Sequence, residues 1–118
     1  MNIIEFFDQN WQLQKWQQGF SKRERTLLTG LSGTAKSLVM ANAYENVADK
    51  YIIVTDSQFH ANELYDELST LLGEEKVFQF FSDDNIYAEF ALASKDRVAY
   101  RLEALNFLLD EKSTGFLV

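Results

Sequence analysis

An α/β fold built on a parallel sheet is the class this sequence predicts, on three observations. Apolar residues at helical spacing alternate with short β-branched or aromatic runs along the chain. The clearest run, Tyr51-Ile52-Ile53-Val54-Thr55, lacks polar alternation, as expected for a strand buried on both faces of a parallel sheet. A loop with two glycines, Gly30 to Ser37, falls between a strand-like run and a helical one.

The elements follow in order. Ile3, Ile4, Phe7 and Trp11 predict an amphipathic helix over about 2–18, stopped by Gly19. Ser21 to Arg25 is a polar, basic connector. Thr26-Leu27-Leu28-Thr29 reads as a buried strand, and Gly30-Leu31-Ser32-Gly33 ends it. A helix follows over about 36–48, with Leu38, Val39 and Ala43 inward. After the strand 51–55, Ser57 is placed to cap a helix over about 58–72 whose inner face is Leu64, Leu68, Leu71 and Leu72. Gly73 stops it. Lys76 to Phe81 is a third strand. The stretch 82–94 has no clear period, and long loops of this kind are often functional. Val98, Leu102, Leu105 and Leu109 form the inward stripe of a helix over 96–110, and Gly115-Phe116-Leu117-Val118 is a fourth strand. An apolar strand left at an open sheet edge invites aggregation, so a chain stopping there is expected to be a piece of a longer protein.

Length and composition narrow the function. At 118 residues the chain fits one compact domain, and 47% apolar residues suffice for a core. The chain has no cysteine, which excludes disulfides, a thiol nucleophile and a cysteine metal site. His60 is the single histidine, so no histidine cluster can form. The net charge of −7 argues against a non-specific grip on nucleic acid. No apolar run is long enough to span a bilayer, and Asn2 and Glu5 replace the basic start of a signal peptide. A soluble cytoplasmic protein is expected.

The chemistry-bearing motif is Gly30-Leu31-Ser32-Gly33-Thr34-Ala35-Lys36-Ser37. It follows the phosphate-binding P-loop pattern G-x-x-x-x-G-K-[ST] at Gly30, Lys36 and Ser37. In that motif backbone N–H groups and a helix N-terminus hold the phosphates, the lysine neutralises their charge and the hydroxyl holds Mg²⁺. Ala35 stands where the pattern has its second glycine, which puts a methyl group at the point of closest approach. Gly30, Gly33, Thr34, Ala35, Lys36 and Ser37 are therefore the candidate, vestigial cofactor-binding residues. Asp56, Asp83 and Asp84 follow strands and could position Mg²⁺ on paper, but carboxylates there commonly serve turns and caps. Three readings stay open: a scaffold without nucleotide, a functional ATP-binding domain, and an unrelated doubly wound domain that holds a phosphorylated ligand.

The Gly30–Ser37 loop, the strand 51–55, the helix Ala61-Asn62-Glu63-Leu64-Tyr65-Asp66-Glu67-Leu68, and the stretch from Phe81 through Asp84-Asn85-Ile86-Tyr87-Ala88-Glu89-Phe90-Ala91-Leu92-Ala93-Ser94 to Asp96, Arg97 and Leu109 follow one another in a familiar order. Over essentially all 118 residues the chain resembles the extreme N-terminal region of bacterial transcription-repair coupling factors. That region is itself similar to the first domain of the excinuclease subunit UvrB. The resemblance implies a three-layer, RecA-like, helicase-type domain whose P-loop is degenerate. It implies one such domain over 1–118, made of an N-terminal helix and an α/β unit over about 25–118. It also implies that ATP and Mg²⁺ serve a separate translocase module, and that this chain carries no catalytic residue, metal or cofactor of its own. The partners implied for the whole protein are RNA polymerase and UvrA, and those implied for this chain are other domains of the same polypeptide. UvrA-contact residues would lie beyond Val118.

Departures from UvrB point the same way. An Ala-Pro-Asn-Lys motif associated with nucleic-acid binding is replaced by Thr55-Asp56-Ser57-Gln58, where Asp56 would repel a phosphate. A chain without proline cannot carry the adenine-reading Gln-Pro pair. The connection 82–94 is too short for the damage-probing hairpin. Elsewhere Arg97 and Arg101 are read as pairing with Asp83, Asp84, Glu89 or Asp96, or contacting a neighbouring domain. Lys22, Arg23 and Arg25 form a small basic patch, and Trp11, Trp16 and Phe20 are read as packing residues.

Overall fold

The computed structural model describes residues 3–81 and 94–118. It divides into two compact units, Met1–Ala48 and Asp49–Val118. The expectations placed on 82–93, including Asp83, Asp84 and Glu89, lie outside the described residues.

The first unit is helical among its described residues. A 3₁₀ helix, Glu5–Gln9, precedes α1 (Trp11–Gln18), and α2 is Ala35–Asn46. The single helix expected over 2–18 is split at Asn10. Its backbone is extended (φ −86°, ψ 109°), and its side-chain oxygen accepts from Gln12 N and Leu13 N. An asparagine that caps a new helix ends the one before it. Gly19 closes α1 as expected. Of the predicted apolar stripe Ile4 is buried, Phe7 half-buried, and Ile3 and Trp11 exposed.

The core of this unit is partly polar. Asn42, 1% exposed, donates from Nδ2 to Ile4 O (3.1 Å) and Asp8 Oδ1 (2.7 Å), and accepts from Gln17 Nε2 (2.7 Å). Asn46 Nδ2 also donates to Asp8 Oδ1, at 2.9 Å. One buried amide thus ties together the 3₁₀ helix, α1 and α2. Ile4, Leu13, Val39, Ala41 and Ala43 are the buried apolar side chains around it.

The expected strand at Thr26–Thr29 does not form. Residues 24–29 have no regular structure, and Leu27 is 85% exposed. Among the described residues this unit contains no strand to pair with, and β-propensity without a ladder partner does not make a strand.

The second unit is α/β. Strands β1 (Lys50–Ile52), β2 (Val77–Phe78) and β3 (Gly115–Leu117) form an all-parallel sheet in the order β1-β3-β2. Helix α3 (Gln58–Leu72) joins the first two, and α4 (Ser94–Leu109) precedes β3. The parallel sheet agrees with the sequence reading, with three corrections. The strand expected over Lys76 to Phe81 is only Val77–Phe78, because Lys76 closes a 3₁₀ turn that starts after Gly73. The last strand is central, so Phe116, Leu117 and Val118 are buried between two neighbours and leave no apolar edge. The strand at 51–55 is shorter than expected and lies at the margin of this sheet, where Ile52 and Val54 are exposed.

The register defines two faces. Tyr51, Val77 and Phe116 share one, where the Tyr51 and Phe116 rings stack at 5.2 Å. Gln79, two residues on from Val77, bonds Asn62 of α3 on that side (2.9 Å). Leu117 and Phe78 share the other face, packed with Ala104, Phe107 and Leu108 of α4, and Phe78 stacks on Phe107 at 4.5 Å. Helices therefore cover opposite faces, giving three layers. The stripe expected to face inward on α4 does not. Val98, Leu102, Leu105 and Leu109 are exposed, while Ala104 and Phe107 are buried. The sequence carries two apolar stripes on this helix. The one with small Ala104 beside a stacking aromatic is the one that meets the sheet.

Two local devices trim this unit. Lys50 Nζ donates to the Leu108 (3.0 Å) and Asp110 carbonyls, a cation at the C-terminus of α4. Gly115 has φ +149°, and a Cβ there would overlap the Lys76 carbonyl. Glycine is thus what lets β3 start so close to the chain entering β2.

Candidate functional site

The Gly30–Ser37 loop lies wholly in the first unit. Gly30 and Gly33 have φ of +82° and +57°. Left-handed backbone is the reason glycine stands at both positions. Ala35 N–H donates to Ser32 O (3.2 Å), closing a turn around Gly33 and Thr34, and Leu38 N–H donates to Thr34 O (3.0 Å). Thr34 is the N-cap of α2 with helical dihedrals and no side-chain cap bond. Ala35 is the first residue of the helix.

The predicted site residues thus share one turn but differ in access. Gly30, Gly33, Thr34 and Lys36 are exposed, and Ala35 is half-buried. Ser37 is 0% exposed. A hydroxyl with no exposed surface offers no open coordination position to a hydrated Mg²⁺. The Ala35 amide is already committed within the loop. The residues present therefore do not fit a magnesium–nucleotide without rearrangement. Beside the loop lies an open groove of about 420 Å³, lined by Trp16, Leu28, Leu31, Val39 and Met40 with Lys36 at its side.

The tetrapeptide Thr55-Asp56-Ser57-Gln58 lies in the second unit and begins α3. Ser57 Oγ accepts from His60 N (3.2 Å), the cap expected from the sequence. Thr55 Oγ1 donates to Ser57 O (3.0 Å), and Gln58 Nε2 donates to Asn62 Oδ1 (2.9 Å). Asp56 Oδ1 lies 2.5 Å from His60 Nδ1, a contact the sequence reading missed although i,i+4 spacing signals it. The hydrogen bond from His60 holds the Asp56 carboxyl below its ordinary range. All four side chains are engaged in starting a helix. The carboxyl ends of the strands border a cleft of about 470 Å³, lined by residues 52–58, Ala61, Phe80, Leu117 and Val118.

Arg101 Nε donates to Phe81 O (3.1 Å), and its guanidinium lies 5.0 Å from the Phe80 ring. Arg97 lies 6.0 Å from the Phe81 ring. These aromatic contacts were not anticipated. Among the described residues no group of three or more potential metal ligands occurs, and no helix is long and apolar enough to cross a membrane.

No protein-family model and no solved structure matches the chain. The transcription-repair-coupling factor of Bacillus subtilis (strain 168) is 36% identical over 83 residues, covering 70% of this chain and 7% of that protein. That of Staphylococcus aureus (strain USA300) is 27% identical over 93 residues, covering 79% of this chain and 8% of that protein. The chain spans less than a tenth of the length of these curated relatives. Over more than two thirds of its own length, then, this chain is similar to transcription-repair-coupling factors.

Proposed function

We propose that this chain is a non-catalytic scaffold and regulatory domain of a transcription-repair coupling factor, with a UvrB-like, RecA-type α/β fold and a P-loop that no longer serves a nucleotide. The observation that carries the reading is the 36% identity over 83 residues to the Bacillus subtilis factor. The loop supports it: Ala35 in place of glycine, its N–H used by Ser32, and Ser37 closed to solvent. The engagement of Thr55–Gln58 in starting α3 supports it too, because those side chains are not free for a phosphate backbone. In the whole protein the domain would brace the machinery that displaces stalled RNA polymerase from damaged DNA and recruits UvrA, while a separate module hydrolyses ATP.

Lys36→Ala in the longer polypeptide tests this. ATP turnover and polymerase displacement at the parent rate are expected. A loss of about tenfold or more in turnover, the scale of removing one strong charged contact, would make the loop a working nucleotide site. A second reading, an ATP-binding loop completed by other residues, is favoured by exposed Lys36 beside the open Gly30 and Gly33. It requires micromolar affinity that disappears with Lys36→Ala.

A further inference from the structure

The two edges of the three-stranded sheet are finished differently. On the β2 side Val77 and Gln79 are buried. Val77 N–H donates to Glu74 O, and Phe81 O accepts from Arg101 Nε (3.1 Å). That edge is covered by its own neighbours, which keeps other strands away.

The β1 side is open. Gly115 N–H donates to Asp49 O (3.0 Å), and Ile53 N–H donates to Leu117 O (2.8 Å). Residues 49, 51 and 53 therefore turn their backbone groups toward β3. Alternate residues of an extended strand turn theirs the opposite way, so those of Lys50, Ile52 and Val54 face the open side. Asp49 Oδ1 accepts the Lys50 N–H (2.8 Å). Among the described residues the N–H and C=O of Ile52 and Val54 form no hydrogen bond. Ile52 is level with Leu117 in the register, and the Ile52 and Val54 residues are 65% and 90% exposed. Lys50 is the charge that could guard this edge, but its Nζ is engaged by the Leu108 and Asp110 carbonyls.

Alternating unpaired backbone groups, with apolar side chains on the same residues, are matched by another extended backbone. The size of the edge decides where that backbone comes from. Ile52 and Val54 offer one N–H and one C=O each, whereas a stable interface between separate proteins carries about ten hydrogen bonds. A second copy is opposed further, because residues 49–118 hold six cations against fourteen carboxylates and two such edges would meet at like charge. A segment of the same polypeptide needs no large interface, because its linkage holds it at about millimolar effective concentration. The relatives have the length to supply one, since this chain covers 7% of one and 8% of another.

We infer that the open edge of β1 receives a further β-strand from elsewhere in the same polypeptide, an extended segment with apolar side chains at alternate positions. The inference rests on the reading of this chain as one domain of a coupling factor, and it names the surface through which the domain is joined to the rest.

Amide hydrogen exchange over residues 50–55 tests it, in the 118-residue chain and in the longer polypeptide. Expected are fast exchange of Ile52 and Val54 in the 118-residue chain and exchange at least about a hundredfold slower in the longer one. Phe116 and Leu117, in the central strand, should be slow in both. Val54→Asp should leave the dichroism of the 118-residue chain unchanged, and in the longer polypeptide it should speed Ile52 exchange at least about tenfold. Equal exchange of Ile52 and Val54 in the two chains overturns the inference. So does protection in the 118-residue chain that grows with its concentration, the mark of a second copy, or Ile52 protection indifferent to Val54→Asp. Polymerase displacement by the same longer preparation reports on the family reading separately, so displacement with an unprotected edge overturns the strand inference alone.

Discussion

Residues 3–48 close their core around an amide, Asn42, whereas residues 49–118 close theirs around a phenylalanine, Phe116. The charges differ as well. The first unit holds five cations and four carboxylates, the second six and fourteen. An apolar core is held by area and tolerates some slack. A polar core depends on each bond, because every buried donor or acceptor left alone costs free energy. The two units should therefore fail differently, and both tryptophans lie in the first, so its unfolding can be followed separately by fluorescence.

The largest effect expected is from Phe116→Ala. Removing a ring that is 1% exposed at the centre of the sheet should cost about 3–5 kcal/mol, read as a drop in the urea midpoint of far-UV dichroism. A smaller loss would mean that the sheet repacks. Next comes Asn42→Ala, which removes the acceptor of buried Gln17 Nε2 and one bond each from Ile4 O and Asp8 Oδ1, and should cost about 1–3 kcal/mol in the tryptophan-reported transition. If Asn42→Leu proved as stable as the parent, the amide would not organise that core. Ser57→Ala removes the cap of α3 and should cost about 1 kcal/mol, visible in dichroism.

Acid sharpens the contrast without large energies. Asp8 is held below its ordinary range by the amides of Asn46 and Asn42. Asp56 is held down by the bond from His60, and Asp110 by those from Ser113 and the Lys112 amide. A carboxyl depressed on folding stabilises above its unfolded pKa of about 3.9, and that stability is lost as pH falls through the folded value. Stability should therefore fall below about pH 4. Asp8→Asn should flatten the acid dependence of tryptophan emission while leaving that of the dichroism from the second unit. Unchanged acid sensitivity of the emission would remove Asp8 from the account.

The same contrast explains what the sequence disclosed. The parallel sheet was legible because β-branched and aromatic runs without polar alternation have few other uses. Ser57 and Gly19 were legible because capping is local. The Asn42 network was not, because nothing in a helical pattern marks one asparagine as buried. The split at Asn10 shows a capping residue overriding an apolar period. The α4 stripe was misassigned because period alone cannot choose between two apolar faces. Leu27 shows that strand propensity needs a partner. In the candidate loop the residue types were readable, whereas the burial of Ser37 and the engagement of the Ala35 amide depend on three-dimensional contacts.

The central claim is that the Gly30–Ser37 loop no longer serves a nucleotide. The most direct measurement is calorimetric titration of the chain with Mg²⁺-ATP beside its Ala35→Gly variant. No binding by the parent is predicted, and recovery in the variant would assign the loss to one methyl group. Micromolar binding by the parent, abolished by Lys36→Ala, would contradict the claim and make this a nucleotide-sensing domain.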